Sequence, residues 1–193
     1  EMVERRCPVW VGYLLASPMR RLFQNPDAIL SPFVRPGMTA LDVGPAMGFF
    51  SVPMARMVGS SGRVVCVDVQ RAMLEKLSLR AARAGVANRL ETRVCDGVDF
   101  ALGDLDGTVD FALAFAVVHE MTDSRAFFAA ARRALKPGAK LLVAEPRGHV
   151  SADAFAETLG RARDQGFESM EPPRISRCRA ALLDRPAEAN GVG

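Results

Sequence analysis

A turn of small residues between positions 42 and 48 is the feature of this sequence best suited to bind a ligand. An apolar run ends in Asp42, and Gly44, Ala46 and Gly48 follow before an apolar, helix-like segment begins. Small residues let a backbone approach a ligand closely, and the unpaired N–H groups at a helix start can donate hydrogen bonds to it. At the first strand of an α/β sheet, such a turn predicts a binding site for a nucleotide-type cofactor.

The spacing of the turn argues against a dinucleotide as that cofactor. The dinucleotide fingerprint G-x-G-x-x-G would place small residues at 44, 46 and 49, but position 49 is Phe. A Phe there would block the close packing of helix on strand that the third glycine permits. The spacing instead resembles motif I, D-x-G-x-G-x-G, of the class I S-adenosylmethionine-dependent methyltransferases. The matching residues run from Asp42 to Gly48, and Ala46 replaces the usual central glycine.

The resemblance to this family continues in four further blocks, which are Val64 to Asp68, Val94 to Gly97, Asp110 to Glu120 and Leu135 to Pro146. It implies an α/β fold of the Rossmann-like, doubly wound type, with three layers and a seven-stranded, mostly parallel sheet. The last strand of that sheet enters antiparallel in the family. We identify residues 25–185 as the methyltransferase domain, preceded by a helical lid segment at 1–24 and followed by a flexible tail at 186–193.

The resemblance also implies which residues bind S-adenosylmethionine. Asp42 would orient the turn or meet the amino group of the methionine part. Asp68 would accept hydrogen bonds from the ribose hydroxyls, and Asp96 would take the adenine amino group, although either acid could be an ordinary strand-end or turn residue. Phe115 and Ala116 would lie beside the sulfonium. The full expected set is Asp42, Gly44, Pro45, Ala46, Gly48, Asp68, Val69, Gln70, Asp96, Gly97, Phe115 and Ala116.

The two histidines of the chain point to the place where a methyl acceptor would bind. His119 follows the predicted fourth strand and His149 follows the fifth, so both belong to the rim where open parallel sheets bind ligands. His119 suits the role of a general base because the pKa of a free histidine is about 6.5. Glu120 could orient it or bind the acceptor. Either histidine could instead simply cap a loop.

Glu145 and Arg147 share this rim with the histidines. Their presence raises the expectation of a polar acceptor pocket. His119, Glu145 and His149 could alternatively hold a divalent metal. We predict no metal, because the several Asp or Asn ligands of metal-dependent methyltransferases are not visible in the sequence.

Predicted strands and helices alternate along the chain, which implies right-handed crossovers and a parallel sheet. The strands are expected near 38–43, 63–68, 90–95, 109–115, 140–145, 167–171 and 178–184. The helices are expected at about 26–34, 47–58, 70–84, 123–136 and 151–165. The residues alone do not establish the direction of the last strand.

Composition narrows the class of protein. The chain has 193 residues, 49% of them hydrophobic, which suits one domain with a proper core. A net charge of +3 gives no bulk field for nucleic acid. The longest apolar run, Phe111 to Val118, is too short to cross a bilayer, and no signal segment opens the chain. We therefore expect a cytoplasmic protein with no membrane partner.

The four cysteines form no C-x-x-C pair and are expected to be free thiols in a reducing compartment. A sharper alternative places Cys7 and Cys178 in the substrate site as ligands of a soft metalloid.

The leading function is methyl transfer to a small-molecule acceptor, as in the family branch that includes the quinone-biosynthesis and arsenite methyltransferases. Since these residues leave no room for a separate substrate domain, we expect a small acceptor or a pocket completed by a second subunit of a homodimer.

Two other functions remain open at this stage. An RNA or protein methyltransferase could use the arginines at 5–6, 20–21, 132–133, 174, 177 and 179 to contact phosphates, although no Asn-Pro-Pro-Tyr-like motif follows the fourth strand. A non-catalytic relic domain is the third possibility, and Ala46 is its one support.

In the lid segment, Trp10 and Tyr13 are candidate aromatic walls of the acceptor pocket.

Overall fold

The computed structural model describes residues 24–187, in which seven strands form a single sheet. The strands are β1 (Thr39–Val43), β2 (Arg63–Asp68), β3 (Leu90–Val94), β4 (Val109–Phe115), β5 (Leu135–Pro146), β6 (Glu168–Met170) and β7 (Cys178–Asp184). Their order across the sheet is β3-β2-β1-β4-β5-β7-β6. The first five strands are parallel, and β7 runs antiparallel to both β5 and β6. The predicted seven-stranded, mostly parallel sheet is confirmed, including the antiparallel last strand.

Five α-helices accompany the sheet in this part of the chain: α1 (Pro26–Leu30), α2 (Ser51–Met57), α3 (Arg71–Arg83), α4 (Ser124–Ala134) and α5 (Ala152–Asp164). Three of them begin at a side chain that caps the helix. Asn25, Asp123 and Ser151 each accept a hydrogen bond from backbone N–H groups in the first turn, which satisfies donors that the helix itself leaves unpaired.

The core lies in two clusters on opposite faces of the sheet. One cluster joins the sheet to α4 and α5 through Phe127, Phe128 and Phe155. The other joins it to α1, α2 and α3 and includes Met54 and Leu77. Central strands such as β4 are buried along almost their whole length, as expected for strands covered by helices on both faces. The three-layer prediction is confirmed.

The element boundaries depart from the predictions at three places. The first helix ends at Leu30, short of 34, and the second starts at Ser51 because residues 44–50 form the turn. The helix predicted to reach 136 ends at Ala134, and Leu135 begins β5 by pairing with Val109. Lys136 precedes Pro137, and a residue before proline disfavours the helical region. The chain therefore turns to extended backbone earlier than its apolar pattern suggested.

Some predictions fall on residues outside the described range. Cys7, Trp10 and Tyr13 all lie there, as does nearly all of the expected lid segment at 1–24. Most of the expected tail at 186–193 is also outside it, so these domain boundaries stay predictions. Within residues 24–187, no helix has the length and apolar character needed to span a bilayer.

Candidate active site

The turn after β1 has the backbone that a close-approach binding site needs. Gly44 has a φ of 69° and Gly48 a φ of 82°. A Cβ added at Gly44 would lie 2.4 Å from a side-chain carbon of Val117, and one added at Gly48 would lie 2.2 Å from Leu77 Cδ1. Both positions therefore need glycine for conformation and for space.

Ala46 keeps the turn despite its Cβ. Its φ of 47° lies in the left-handed region, which costs an L-residue roughly 1–2 kcal/mol. Its backbone lowers the pKa of Asp68 at the end of the neighbouring strand. The departure from the family motif is thus absorbed as local strain, and the turn forms with alanine in place of glycine.

Asp42 lies beneath this turn, where its carboxylate is only 2% exposed. It accepts a hydrogen bond of 2.5 Å from the Ser51 hydroxyl at the start of α2. Burial raises the pKa of Asp42 to about 7, the charge of Asp68 adds to the rise, and the Ser51 hydrogen bond opposes it. The arrangement links the end of β1 to the first turn of α2, and the orienting role of Asp42 stays a prediction.

Asp68 ends β2, and Val69 and Gln70 follow it. They lie next to the turn, since the Gly44 N–H donates to the Val67 carbonyl at 2.9 Å. The Asp68 carboxylate accepts a hydrogen bond of 2.9 Å from the Gln70 N–H. Burial raises the pKa of Asp68, while hydrogen bonds from the backbone of Gln70, Ala46 and Val69 lower it. A carboxylate held at this place can accept hydrogen bonds from neighbouring hydroxyls of a ligand.

Asp96 and Gly97 form a tight loop after β3. One oxygen of Asp96 accepts from the N–H groups of Val98 at 2.8 Å and Asp99 at 2.7 Å, and these bonds lower the pKa of Asp96. Asp96 therefore stabilises the turn through these two hydrogen bonds. Its contact with a ligand stays a prediction.

Val69 and Val98 give the cofactor side of the site an exposed apolar surface that includes one residue absent from the predicted set. Val69 is 49% and Val98 72% exposed. A Cβ at Gly97 would lie 3.7 Å from Val69 Cγ1, so the loop that carries Val98 runs alongside Val69. Exposed apolar side chains beside a polar turn suit the flat face of a heteroaromatic ring. The available signal was the apolar residue that directly follows the Asp-Gly turn.

Phe115 and Ala116 end β4 between the two halves of the site. Phe115 is buried, and its ring centroid lies 4.5 Å from that of Phe50. Ala116 has a φ of 56° and donates its N–H to the Ala144 carbonyl at 2.7 Å. A left-handed non-glycine residue at a strand end is strained, and such strain is commonly found at functional sites.

His119 is held by a buried carboxylate from the neighbouring strand. It lies in a short 3₁₀ turn, Val118–Glu120, and its Nδ1 lies 2.6 Å from Glu145 Oε2. The other oxygen of Glu145 accepts from the N–H groups of Val118 at 2.8 Å and His119 at 3.2 Å. Glu145 is 1% exposed. The hydrogen bond to Glu145 raises the pKa of His119, and burial of the imidazole opposes the rise.

This geometry assigns the orienting bond of His119 to Glu145, a residue outside the predicted set. Glu120 Oε1 lies 4.0 Å from His119 Nε2, and the Glu120 side chain is 40% exposed. Burial raises the pKa of Glu120, and the charge of His119 lowers it. Contact of Glu120 with an acceptor stays a prediction. Because Nδ1–H donates to Glu145, Nε2 is the basic nitrogen of the neutral imidazole.

His149 lies on the same rim, with its ring centroid 6.1 Å from that of His119 and the two rings at 68°. Within residues 24–187, no group of three or more His, Cys, Asp or Glu side chains could hold a metal ion. Cys178 is buried, and Gln24 Nε2 lies 3.1 Å from its sulfur. Its proposed companion Cys7 lies outside the described part of the chain.

The fold and these strand-end residues define a class I S-adenosylmethionine-dependent methyltransferase, and comparison with known proteins agrees. The family described as "Methyltransferase domain" matches residues 40–138, slightly more than half of the chain. The chain therefore belongs to the methyltransferase domain family, whose cofactor in this class is S-adenosylmethionine. The resemblance deduced from the motifs is confirmed.

Individual relatives are more distant. The chain is 35% identical over 133 residues to the ubiquinone/menaquinone biosynthesis C-methyltransferase UbiE of Cellvibrio japonicus, covering 68% of this chain and 52% of the relative. It is 33% identical over 118 residues to an uncharacterised 37.1 kDa protein in a transposon of Streptomyces fradiae, covering 58% of this chain and 31% of that protein. The matched part thus spans about half or less of these relatives.

A solved structure supports the fold over nearly the whole chain. A SAM-dependent methyltransferase from Aquifex aeolicus superposes with a TM-score of 0.82 at 24% identity, covering 92% of this chain and 98% of the other. The described residues also fit the cofactor on their own geometry. The cradle at Gly44 admits no Cβ, and the Asp68 carboxylate is held at the adjoining strand end.

Proposed function

We propose that this chain transfers a methyl group to a small-molecule acceptor and that His119 removes the acceptor's proton. S-adenosylmethionine would supply an electrophilic methyl group on a sulfonium. The observation that supports this best is the bond of 2.6 Å between His119 Nδ1 and the buried Glu145. A buried carboxylate on one imidazole nitrogen orients the ring and stabilises its protonated form, so the other nitrogen becomes an effective base.

In this proposal the cofactor side contributes binding and orientation. The turn from Gly44 to Gly48, with Pro45 and Ala46, would hold the amino-acid tail. Asp68 would accept from the ribose hydroxyls, and Asp96, Gly97 and Val98 would hold the adenine against Val69. Holding the reacting atoms in line can supply up to about 7–11 kcal/mol of a displacement barrier.

On the acceptor side His119 would lie on the rim beyond Phe115 and Ala116. Its Nε2 would take a proton from an acceptor hydroxyl, and Glu145 would stabilise the imidazolium that forms. Since Glu145 raises the pKa of His119, the imidazole stays protonated to higher pH than a free histidine. Turnover would therefore rise with pH through that elevated pKa, because only the neutral ring can accept the proton.

We infer a phenol or quinol as the acceptor class. The Cellvibrio japonicus relative is named as a C-methyltransferase of ubiquinone and menaquinone biosynthesis. Removing a phenolic proton places negative charge on the oxygen and on ring carbons, either of which can attack a methyl carbon. A single base beside the transferred methyl group suffices for this chemistry.

The test measures binding and turnover separately. Calorimetry with S-adenosylhomocysteine measures the cofactor site, and release of that product from S-adenosylmethionine with 1,4-naphthoquinol measures methyl transfer. His119→Ala should leave product binding within about twofold and lower turnover by roughly 10²-fold. Arg83→Gln, an exposed change on α3, is the matched control and should alter neither. Unchanged turnover in His119→Ala would remove His119 from the mechanism.

A further inference from the structure

A cleft lined by arginines adjoins the His119–Glu145 pair. It has a volume of about 840 Å³ and lies between the loop after β5, the start of α5 and the segment that leads into β7. Four arginines and one acid, Glu171, line it, which gives these side chains a net charge of +3. The entire chain carries no more than that. Basic side chains therefore outnumber acidic ones along this cleft.

The cleft opens beside the proposed acceptor site because of the strand register. Glu145 pairs directly with Arg179 across β5 and β7, and paired residues of antiparallel strands lie about 5 Å apart. Arg147 follows Glu145 by two positions, and its N–H donates to the Arg177 carbonyl at 3.0 Å. A molecule that reaches His119 from this side would lie against the arginines.

Two of the guanidinium groups are held in place by the backbone. Arg147 Nε donates to the Cys178 carbonyl at 3.0 Å, and Arg179 Nε donates to the Val150 carbonyl at 3.1 Å. Within residues 24–187, no carboxylate lies within ion-pair distance of Arg147, Arg174 or Arg179. Elsewhere in the protein, cations such as Arg93 and Lys136 are paired with acids. The terminal nitrogens of Arg147 and Arg179 are thus positioned donors that can bind an anion.

Apolar side chains also line the cleft. Phe155 and Ile175 are among them and are 8% and 7% exposed. A cavity of this size with apolar lining and a few charged groups suits a small molecule. A single-stranded nucleic acid would need a positively charged groove that follows its backbone over several nucleotides.

We propose that the methyl acceptor carries an oxyanion substituent, a carboxylate or a phosphate, which Arg147, Arg174 and Arg179 bind while the apolar body of the molecule rests on Phe155 and Ile175. This inference rests on the proposed function, and it specifies the substrate class of that site. The oxyanion would anchor the acceptor at one end and leave its hydroxyl beside His119. Acceptors that lack the anion should bind less tightly at low salt.

The test titrates inorganic pyrophosphate and citrate into the full chain by calorimetry, with and without S-adenosylhomocysteine. One arm carries phosphate oxyanions and the other carboxylates, so the tighter one identifies the substituent. The double variant Arg147→Gln/Arg174→Gln should weaken binding of the preferred anion at least tenfold. The matched control Arg56→Gln/Arg83→Gln removes two exposed arginines from α2 and α3, which do not border the cleft, and should stay within twofold of the wild type.

The single variant Arg174→Gln distinguishes loss of anion binding from a folding defect, because no hydrogen bond within the described residues depends on Arg174. It should weaken anion binding severalfold. The proposal would be overturned if the double variant bound pyrophosphate and citrate as tightly as the wild type does. Tighter binding of a ten-nucleotide single-stranded RNA than of either anion, with loss in the double variant, would overturn it as well. If product binding fails while anion binding behaves as expected, the cofactor assignment is at fault and not the cleft.

Discussion

The two halves of the candidate active site are built in different ways. On the cofactor side, β1 to β3, the backbone carries most of the site: a turn with two glycines at positive φ, amide groups around Asp68 and a tight Asp-Gly loop. On the acceptor side, β4 to β7, side chains carry it. Glu145 reaches back to His119 from the next strand, and Arg147 is fixed by the backbone of Cys178.

The difference concerns how far apart in sequence the cooperating residues lie. The cofactor turn is complete within residues 42–48, so its spacing alone indicates its purpose. The acceptor side joins residues 26 and 31 positions apart, and each contact exists only because the sheet brings strand ends together. A cofactor turn can thus be built from a local motif, while the candidate acceptor side requires contacts that depend on the whole fold.

The largest effect is expected at the cofactor turn. Gly44→Ala places a Cβ 2.4 Å from Val117 at a φ of 69°, so the turn must open. We expect S-adenosylhomocysteine affinity to fall by about 10³-fold or more, equivalent to roughly 4 kcal/mol, measured by calorimetry on folded protein.

Gly59→Ala is the matched control for this change, because Gly59 also has a φ of 69° but nothing lies within 4 Å of its added Cβ. It should cost about 1 kcal/mol of folding stability and leave affinity intact. Equal affinity losses in the two variants would show that backbone strain, and not the collision with Val117, is what the turn cannot tolerate. The contact between the turn and Val117 would then not be what determines cofactor affinity.

A second prediction uses the buried acid beneath the turn. Asp42 has a pKa of about 7 in the folded chain against 3.8 as its ordinary value. Its proton is therefore favoured by folding, and the stability it contributes is complete below pH 4 and is lost as pH rises through about 7. The loss is at most about 4 kcal/mol, since one pKa unit is worth about 1.4 kcal/mol.

Asp42→Asn should remove this pH dependence, because the amide stays neutral and can still accept a hydrogen bond from Ser51. Urea unfolding at pH 4, 6 and 8 measures it: the wild type should become less stable toward pH 8 relative to the variant. Asp110→Asn provides the comparison, as Asp110 lies at the opposite end of the sheet beside Lys136 and Thr39. Parallel curves for wild type and Asp42→Asn would mean that the carboxylate is charged in the folded protein and stabilised by the turn above it.

The same contrast explains how much of the molecule could be read from its sequence. The strand positions and the glycine turn at Gly44 and Gly48 depend on short segments with recognisable chemistry. Glu145 could be placed on the correct rim, but the bond to His119 depends on the side-chain directions of two strand ends, which no spacing encodes. The sole indication for Val98 was its position directly after Asp96 and Gly97. The arginine cleft could not be predicted without the register of β5 and β7, which brings its arginines together. The end of α4 at Ala134 was missed because the strand pairing of Leu135 outweighed local helix preference.

The smallest of the expected effects concerns the acceptor side. Glu145→Gln keeps the shape of the side chain and removes its charge, so the imidazole keeps a hydrogen-bond partner but loses the stabilisation of its protonated form. We expect turnover to fall by about 10- to 100-fold, with S-adenosylhomocysteine affinity unchanged because the residue does not border the cofactor turn. The pKa of His119 should fall toward its ordinary value near 6.5.

Proton NMR checks this directly, because the chain has two histidines and His149 supplies an internal reference signal. A pH titration of wild type and Glu145→Gln should move one imidazole resonance to lower pKa and leave the other in place, with the pH–rate profile shifting in the same direction. Glu120→Gln is the matched control; its carboxylate lies 4.0 Å from Nε2, and the shift it causes should be smaller. If Glu120→Gln lowered the pKa of His119 more than Glu145→Gln, the neighbouring residue in sequence would control the base, and the acceptor side would be as locally encoded as the cofactor turn.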